Sequence, residues 1–190
     1  MLVSNNEPMK ITDVLLAEHA VFHNFFDHLE KTAPRLRSTS EIKLLSAALE
    51  VLLLSHTSTE DDLLIEPLGH SLEQIGQNET FHNEHQEIEA KLAAVKKARQ
   101  FKQARGLLLQ AVQRAREHFD KEERVVFPLA ERLLKAKTLS EMGDEWLSRR
   151  EMILVRRLYR TGTLLTAAFT ADTSALTRNG NGKSEGASRV

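Results

Sequence analysis

The sequence predicts an all-α fold, namely an antiparallel up-down four-helix bundle with an additional C-terminal helix and a disordered tail. Apolar residues recur at spacings of three and four residues along most of the chain, which is the periodicity of amphipathic helices. Only four prolines interrupt the 190 residues, and no segment shows the apolar–polar alternation of a strand. The hydrophobic content of 41% is sufficient for one core, so we expect one domain with extensions.

The first two helices are defined by their apolar positions and by local end signals. The first is predicted from about Ile11 to Lys31, and Pro34 lies just past its end. Ser38, with Glu41 three residues later, forms a capping box that opens the second helix. We expect this second helix to end before Pro67, because a proline cannot continue a regular helix.

The segment after Pro67, which contains Gly69 and Gly76, is predicted to be a loop. A third helix has an apolar line from Phe81 to Val95, and a fourth has one from Leu108 to Leu129. Four helices with short links indicate antiparallel neighbours. The chain ends in a polar segment rich in Gly and Ser, for which we expect disorder.

The predicted organisation has four parts. An N-terminal extension spans 1–10, and the four-helix bundle spans 11–135. A C-terminal amphipathic helical extension follows at 136–170, and the disordered tail occupies 171–190.

Composition excludes several classes of function. The chain has no cysteine, which excludes disulfides, thiolate metal sites and cysteine nucleophiles. The net charge of −1 gives no overall electrostatic footprint for nucleic acid, so we expect no nucleic-acid partner. No segment approaches the about 18 apolar residues of a membrane span, so we expect no span and a cytoplasmic location. The sequence does not indicate an oligomeric state.

Two segments of common design lie in the second and fourth helices. HTSTEDDLLIEPL spans 56–68 and HFDKEERVVFPLA spans 118–130. Each places a glutamate four residues after a histidine, followed by apolar residues near a proline. Each is preceded by a helix with one histidine in its apolar stripe, His19 or His85. The chain is therefore predicted to form two similar helical hairpins that face each other.

The inward faces of these helices carry six polar side chains that need compensation. A histidine or a carboxylate in an apolar stripe costs free energy unless it is paired or bound to a metal. Residues four apart on a helix project from the same side, about 6 Å apart along the axis, so each His-x-x-x-Glu pair presents an imidazole and a carboxylate to one interior site. The six side chains are His19, His56, Glu60, His85, His118 and Glu122.

Four imidazole nitrogens and two carboxylates are a suitable donor set for two divalent transition ions. Imidazole and carboxylate ligands favour iron, manganese or zinc over calcium. A carboxylate from each pair can bridge both ions and offset their charge. Six protein groups leave coordination positions vacant, and an open position permits a small ligand to bind.

The order of these residues resembles the motif of the hemerythrin-like, or HHE cation-binding, proteins. The segments NEHQEIE at 83–89 and EERVVFP at 122–128 are similar to that family's helices, and the resemblance covers about 11–135. It implies two iron ions in an oxo- or hydroxo-bridged di-iron centre. By that resemblance the bridging ligands are Glu60 and Glu122, the ligands of one iron are His19 and His56, and those of the other are His85 and His118.

One position departs from the pattern of the oxygen-carrying members of this family. These have an additional histidine one turn before the position of His85, where this chain has Phe81. His23 lies one turn after His19, about 40° away around the helix, and His82 adjoins Phe81. We expect His23 or His82 to act as an additional ligand or to support one, unless a water fills the place.

The resemblance implies a non-haem di-iron protein that binds or senses O2, NO or H2O2 at an open iron position. Its partner is then a small diatomic ligand or peroxide. Two alternatives remain open, namely an enzyme on the same site that dismutes peroxide or releases iron for iron–sulfur repair, and a metal-free helical adaptor. Oxygen evolution from peroxide distinguishes an enzyme from a binder, and a fold that is insensitive to chelation identifies an adaptor.

Overall fold

The computed structural model describes residues 9–151, apart from the side chain of Asn78. This part of the chain is helical and contains no β-strand, which confirms the predicted all-α class. The helices are α1 (Ile11–Thr32), α2 (Thr39–Glu60), α3 (Glu66–Gln74), α4 (Asn78–Lys97), α5 (Phe101–Lys121) and α6 (Phe127–Leu133). A further helix, α7, begins at 136 and continues through 151.

Four long helical segments build the bundle. A π-helical turn, Asp61–Ile65, joins α2 to α3, and a second one, Glu122–Val126, joins α5 to α6, so each of these pairs forms one continuous segment. Helix α4 packs against α2 and α5, α2 packs against α5, and α1 packs against α5 and α6. Because the connections between the four segments are short, segments that are consecutive in the chain run antiparallel. The predicted up-down four-helix bundle is confirmed.

Local sequence signals mark several of the helix ends. The N–H of Glu41 donates to Ser38 Oγ at 3.2 Å, and the N–H of Ser38 donates to Glu41 Oε2 at 2.9 Å. The predicted capping box at the start of α2 is therefore present. Helix α1 is followed by a 3₁₀ turn, Ala33–Arg35, that contains Pro34. Gly76 adopts a φ of 69°, a conformation that glycine reaches without strain, and turns the chain from α3 into α4.

One prediction is wrong: the second helix does not end before Pro67, and the segment around Gly69 is helical rather than a loop. The N–H of Glu66 donates to the carbonyl of Asp61, five residues earlier, which closes the π-helical turn. In a regular helix a proline lacks the N–H and its ring crowds the carbonyl four residues earlier. The wider turn directly before Pro67 relieves this crowding, so the helix continues to Gln74.

The fourth segment has the same arrangement. The N–H of Phe127 donates to the carbonyl of Glu122, and Pro128 follows in the first turn of α6. Both π-helical turns therefore occupy the same place in the two hairpins, next to a His-x-x-x-Glu pair. Such turns inside α-helices are frequent at functional sites.

Two apolar clusters fill the interior of the bundle. One lies among α1, α2, α4 and α5 and includes Phe22 and Leu49. The other lies around α3, α6 and α7 and includes Leu15 and Trp146. The ring of His56 contacts Phe22 of the first cluster and Trp146 of the second. The candidate ligands therefore lie between the two clusters.

Helix α7 approaches the start of α1 closely. Leu139 and Trp146 of α7 are buried in the second apolar cluster. Gly143 lies over the backbone of Met9 and Lys10, and a Cβ at this position would overlap the carbonyl oxygen of Met9. The close approach is possible because Gly143 has no side chain.

The described residues up to Trp146 belong to one compact unit, and 147–151 lie outside it. The expected disordered tail at 171–190 lies outside the described residues, and so does the greater part of the expected extensions at 1–10 and 136–170. No helix in the described part combines the length and the apolarity that crossing a bilayer requires.

Candidate metal centre

Six side chains from four helical segments meet in the interior of the bundle. One histidine comes from α1 and one from α4, while the two His-x-x-x-Glu pairs lie where α2 and α5 meet the π-helical turns. All six are buried, with exposures between 0% and 4%. They are His19, His56, Glu60, His85, His118 and Glu122. The structure thus brings the six sequence-predicted ligands to one place.

The donor atoms of these residues form two groups that share both glutamates. In the first group, His19 Nε2 lies 3.3 Å from His56 Nε2 and 3.6 Å from Glu122 Oε2. His56 Nε2 lies 3.5 Å from Glu60 Oε2. Each of the four residues offers one donor atom within 4.8 Å of the others, so the group can surround one cation.

The second group adds His85 and His118 to the same two glutamates. His118 Nε2 lies 2.8 Å from Glu122 Oε1, and His85 Nε2 lies 3.7 Å from that oxygen. His85 Nε2 also lies 3.9 Å from Glu60 Oε2. Glu60 and Glu122 therefore belong to both groups.

These separations match those of ligands around a shared ion. Nitrogen and oxygen ligands lie about 2.0–2.2 Å from an ion such as zinc, so neighbouring ligands of one ion are about 3–3.5 Å apart. The measured distances, from 2.8 to 3.9 Å, lie around this value. The donor atoms of each group are therefore spaced as ligands of one cation are.

Buried atoms without partners mark the same point. Within 9–151, both carboxylate oxygens of Glu60 and of Glu122 are buried without a hydrogen-bond partner, as are Nε2 of His85 and of His118. The contact between His118 Nε2 and Glu122 Oε1 is short but lacks the alignment of a hydrogen bond. An unsatisfied buried polar group costs about 1–3 kcal/mol, and a charged one costs more. Cations fit this set, because carboxylate oxygens and neutral imidazole nitrogens are both ligands of transition metals.

Burial strongly affects the protonation of these groups. Desolvation lowers the pKa of His19 to about 3, although Glu122 opposes it, so this imidazole is neutral, as a metal ligand must be. Burial and the neighbouring Glu122 carboxylate raise the pKa of Glu60 well above its usual range. Burial also opposes ionisation of Glu122, but contacts with His118 and His85 outweigh it and hold the pKa of Glu122 well below its usual range. Two carboxylates in one buried site therefore do not both ionise without added positive charge.

Acidic neighbours raise the pKa values of the other two histidines. Burial alone would lower the pKa of His85, but the nearby Asp61 and Glu122 outweigh it and raise this pKa to about 9. For His118, burial is likewise outweighed by Glu122, and the pKa is raised. Because ligating imidazoles must be neutral, cations that bind here replace these protons.

Two of the imidazoles donate from Nδ1 to glutamates of a neighbouring helix. His56 Nδ1 donates to Glu18 Oε2 at 2.8 Å, and His118 Nδ1 donates to Glu84 Oε2 at 2.9 Å. Both glutamates directly precede a histidine of the site in the sequence. Glu84 is almost fully buried and also accepts from Lys121 Nζ.

The remaining two imidazoles face acidic residues that directly follow the glutamates of the site. His19 Nδ1 donates to Glu123 Oε1 at 3.0 Å, and His85 Nδ1 lies 3.2 Å from Asp61 Oδ1. In metal sites, a carboxylate on the second ring nitrogen fixes the tautomer and the orientation of the ligating imidazole. All four candidate histidines thus present Nε2 to the centre and Nδ1 to a carboxylate.

None of these four acids is among the predicted site residues. The sequence nevertheless carries a signal for them, because the dipeptide Glu-His occurs at 18–19 and at 84–85. An acidic residue also follows each predicted bridging glutamate, at 61 and at 123. The acids therefore repeat with the two hairpins, just as the candidate ligands do.

His23 and His82, the candidates for an additional ligand, lie outside both donor groups. His23 Nδ1 is 3.2 Å from Arg116 Nη1, and His23 Nε2 is 3.9 Å from Oε1 of Glu123, the carboxylate that binds His19. His82 is exposed on α4. His23 therefore lies near Glu123, which is one of the acids that contact the candidate histidines, and not in a donor group.

Aromatic rings enclose the half of the centre that contains His19 and His56. The ring of His19 stacks on Phe119, with centroids 3.9 Å apart and 6° between the planes. Phe22 and Trp146 contact the ring of His56, with centroid distances of 5.2 and 5.7 Å. These rings are buried, so they separate this half of the centre from water.

The core of this helical bundle contains two overlapping His/Glu donor groups. These features are typical of one class of proteins, the four-helix proteins that bind metal cations between their helices. The family model of the hemerythrin HHE cation binding domain matches this chain over residues 10–130 and again over 78–154. Because the first match alone covers more than half of the chain, the chain belongs to this family, and the predicted resemblance is confirmed. Membership implies a metal cation site. No curated protein and no solved structure matches the chain.

Proposed function

We propose that this protein binds two iron ions in the candidate metal centre and that an open iron position binds or senses O2, NO or H2O2. The observation that carries the proposal is the pair of donor groups that share Glu60 and Glu122, whose carboxylate oxygens have no hydrogen-bond partner in the described chain. Each donor group combines two histidines with both glutamates around one point, and the presence of two such groups supports a binuclear site. Membership of a cation-binding family supports the same proposal.

In this proposal each ion has two histidines of its own and shares both glutamates. Glu60 and Glu122 would be shared by both ions, His19 and His56 would hold one ion, and His85 and His118 would hold the other. Imidazole and carboxylate donors suit iron. Bound iron supplies reversible oxidation and a vacant coordination position. The protein orients the imidazoles through their Nδ1 carboxylates and excludes bulk water with its aromatic rings.

Metal analysis of the full-length protein, purified without added metal, tests this proposal. We expect about two iron ions per chain, as required by two donor groups with ligands for one ion each. His118→Ala and Glu60→Ala are expected to lower the iron content. The matched control is His82→Ala, which removes an exposed histidine outside both donor groups and leaves the iron content unchanged. Full iron occupancy in both His118→Ala and Glu60→Ala contradicts the proposed centre.

The response of the iron-loaded protein to added ligands distinguishes a ligand-binding protein from an enzyme that turns over its substrate. A binder gives an absorption change that saturates at a fixed ratio of nitric oxide or oxygen to iron. Continuous oxygen evolution from hydrogen peroxide, lost in Glu60→Ala, would instead establish a peroxide-dismuting enzyme on the same residues.

A further inference from the structure

A small cavity lies between α2, α4 and α5, beside the candidate metal centre. Its volume is about 10 Å³, which is space for a single water-sized molecule. The buried residues His85 and His118 and the exposed residues Leu54 and Glu89 all line it. The cavity is therefore lined on one side by one half of the centre and on the other by residues at the protein surface.

The walls of this cavity are apolar, and acidic side chains lie among the residues that line it. Leu53, Ile88 and Leu92 are buried and supply much of the wall. Glu50 and Glu89 also line the cavity, and Glu50 Oε2 is paired with Lys96 Nζ at 2.6 Å. An apolar wall cannot satisfy hydrogen bonds, and carboxylates repel anions. The lining therefore favours a small, uncharged and apolar molecule.

The other hairpin shows how the equivalent space can be filled. The residues three and seven positions after the histidine of α4 are Ile88 and Leu92, whereas those after the histidine of α1 are Phe22 and Phe26. The two phenylalanines pack against Phe119, with centroid distances of 5.4 and 5.8 Å. Larger rings thus occupy the place where the α4 side has aliphatic side chains.

The helices that carry the His-x-x-x-Glu pairs differ in the same way. Thr57 directly follows the histidine of α2, whereas Phe119 directly follows that of α5 and stacks on His19. Leu54 precedes the α2 histidine by two positions, and Arg116 holds the equivalent place in α5. The guanidinium of Arg116 lies 5.3 Å from the ring centroid of Phe26 and covers that side. The cavity is therefore a consequence of smaller side chains in one of two otherwise similar places.

We propose that this cavity is the entry route for a small apolar diatomic ligand and that it delivers the ligand to the ion held by His85 and His118. The inference rests on the proposed function, since it requires ions at the candidate centre. The half with His19 and His56 is enclosed by aromatic rings, while the cavity reaches the other half. Hydrogen peroxide fits this route less well than oxygen or nitric oxide, because its two hydroxyl groups lose their hydrogen bonds along an apolar wall.

The first test measures nitric oxide association with the iron-loaded, full-length protein by stopped-flow absorption. Thr57→Phe copies the residue that fills the equivalent place, and Ile88→Phe narrows the cavity from within. Both are expected to slow association at least about tenfold, because entry then requires movement of the added ring. The matched control Ser58→Phe adds the same ring at an exposed neighbouring position and is expected to leave the rate unchanged. Equal rates in all three variants and the parent overturn the inference.

The second test detects oxygen in the cavity by NMR and does not require iron. In the full-length protein loaded with diamagnetic zinc, dissolved oxygen under pressure is expected to shift the methyl NMR signals of Leu53, Ile88 and Leu92. Fully buried methyl groups elsewhere, such as those of Leu15 and Ile42, are expected to shift less. The shifts should disappear in Thr57→Phe and persist in Ser58→Phe.

The two tests separate failure of this inference from failure of the proposed function. Absence of bound iron overturns the proposed function, and delivery to an ion fails with it. A second outcome is that the protein binds iron but oxygen shifts the methyl signals at the cavity no more than those of the reference methyl groups. This outcome overturns the entry route and leaves the proposed function intact.

Discussion

The two ring nitrogens of each candidate histidine, Nε2 and Nδ1, lie in different surroundings. Nε2 faces a shared point where carboxylate oxygens have no other partner, whereas Nδ1 faces an acidic side chain such as Glu18 or Glu84. The second contact holds the imidazole in the tautomer that leaves Nε2 free for a metal. The acids next to the candidate ligands are therefore expected to contribute to metal affinity without touching the metal.

Glu84 offers the clearest test of this role. It is 3% exposed and accepts from His118 Nδ1 at 2.9 Å and from Lys121. Glu84→Gln keeps the size of the side chain but removes its charge, and we expect the iron affinity to fall about 10–100-fold. Competition with a chelator measures this affinity. Glu117→Gln, at a more exposed glutamate that pairs with Arg114, is the control and should bind iron as tightly as the parent protein. Equal affinities in the two variants would show that Glu84 does not support the ligand.

At this scale the sequence predicts the candidate ligands but not the acids around them. A histidine or glutamate in an apolar stripe is unusual, so the six residues can be recognised as candidate ligands from the sequence alone. Glu18 and Glu123 are partly exposed, with side-chain exposures of 26% and 30%, as ordinary helix glutamates are. Neighbours in a helix project about 100° apart, so an acid beside one ligand reaches the histidine of another helix. Only the tertiary arrangement reveals that pairing.

The helices show where end signals in a sequence succeed and where they fail. The capping box at Ser38 is local, and the structure contains it as predicted. Pro67 and Pro128 are stop signals by the same local logic, yet both helices continue through them. The turns that follow the π-helical turns pack against the bundle, as seen for Leu68 and Leu129, which are 3% and 6% exposed. This contribution is not visible in the local sequence.

Two glycines in helices provide a matched test of how α7 packs. At Gly143 an added Cβ would overlap the backbone of Met9, whereas at Gly106 in α5 no atom lies within 4 Å of such a Cβ. We expect Gly143→Ala to destabilise the protein by about 1–3 kcal/mol, as overpacking does. Gly106→Ala should stabilise it by about 0.5–1 kcal/mol, because alanine loses less backbone entropy in a helix. Urea denaturation measures both. A stabilising Gly143→Ala would contradict the close contact between α7 and the start of α1.

The whole molecule consists of two hairpins with the same order of candidate ligands, and this repetition is what makes the bundle predictable. The spacing of His19, His56, His85 and His118 predicts which helices face one another. The repetition does not predict the difference between the halves. Thr57 and Phe119 occupy equivalent places, and together with their neighbours the smaller Thr57 leaves a cavity where the ring of Phe119 fills the space.

Removal of metal is expected to weaken the entire bundle, because the candidate ligands come from all four long helical segments. A ligand present at 100 times its Kd stabilises the native state by about 2.7 kcal/mol. For a chain of this size, each kcal/mol corresponds to about 2–4 °C in Tm. We therefore expect chelation to lower Tm by at least about 5 °C, measured by circular dichroism. His82→Ala should respond to chelation as the parent protein does. Identical melting with and without chelator would instead favour the metal-free adaptor.

Trp146 is the only tryptophan in the chain. It is fully buried in α7, and its ring centroid lies 5.7 Å from that of His56. A transition ion at such short range quenches indole fluorescence, so emission from this one side chain reports whether the adjacent position is filled. Trp146 is thus an intrinsic fluorescent probe, and the kinetics of metal uptake can be followed without an attached dye.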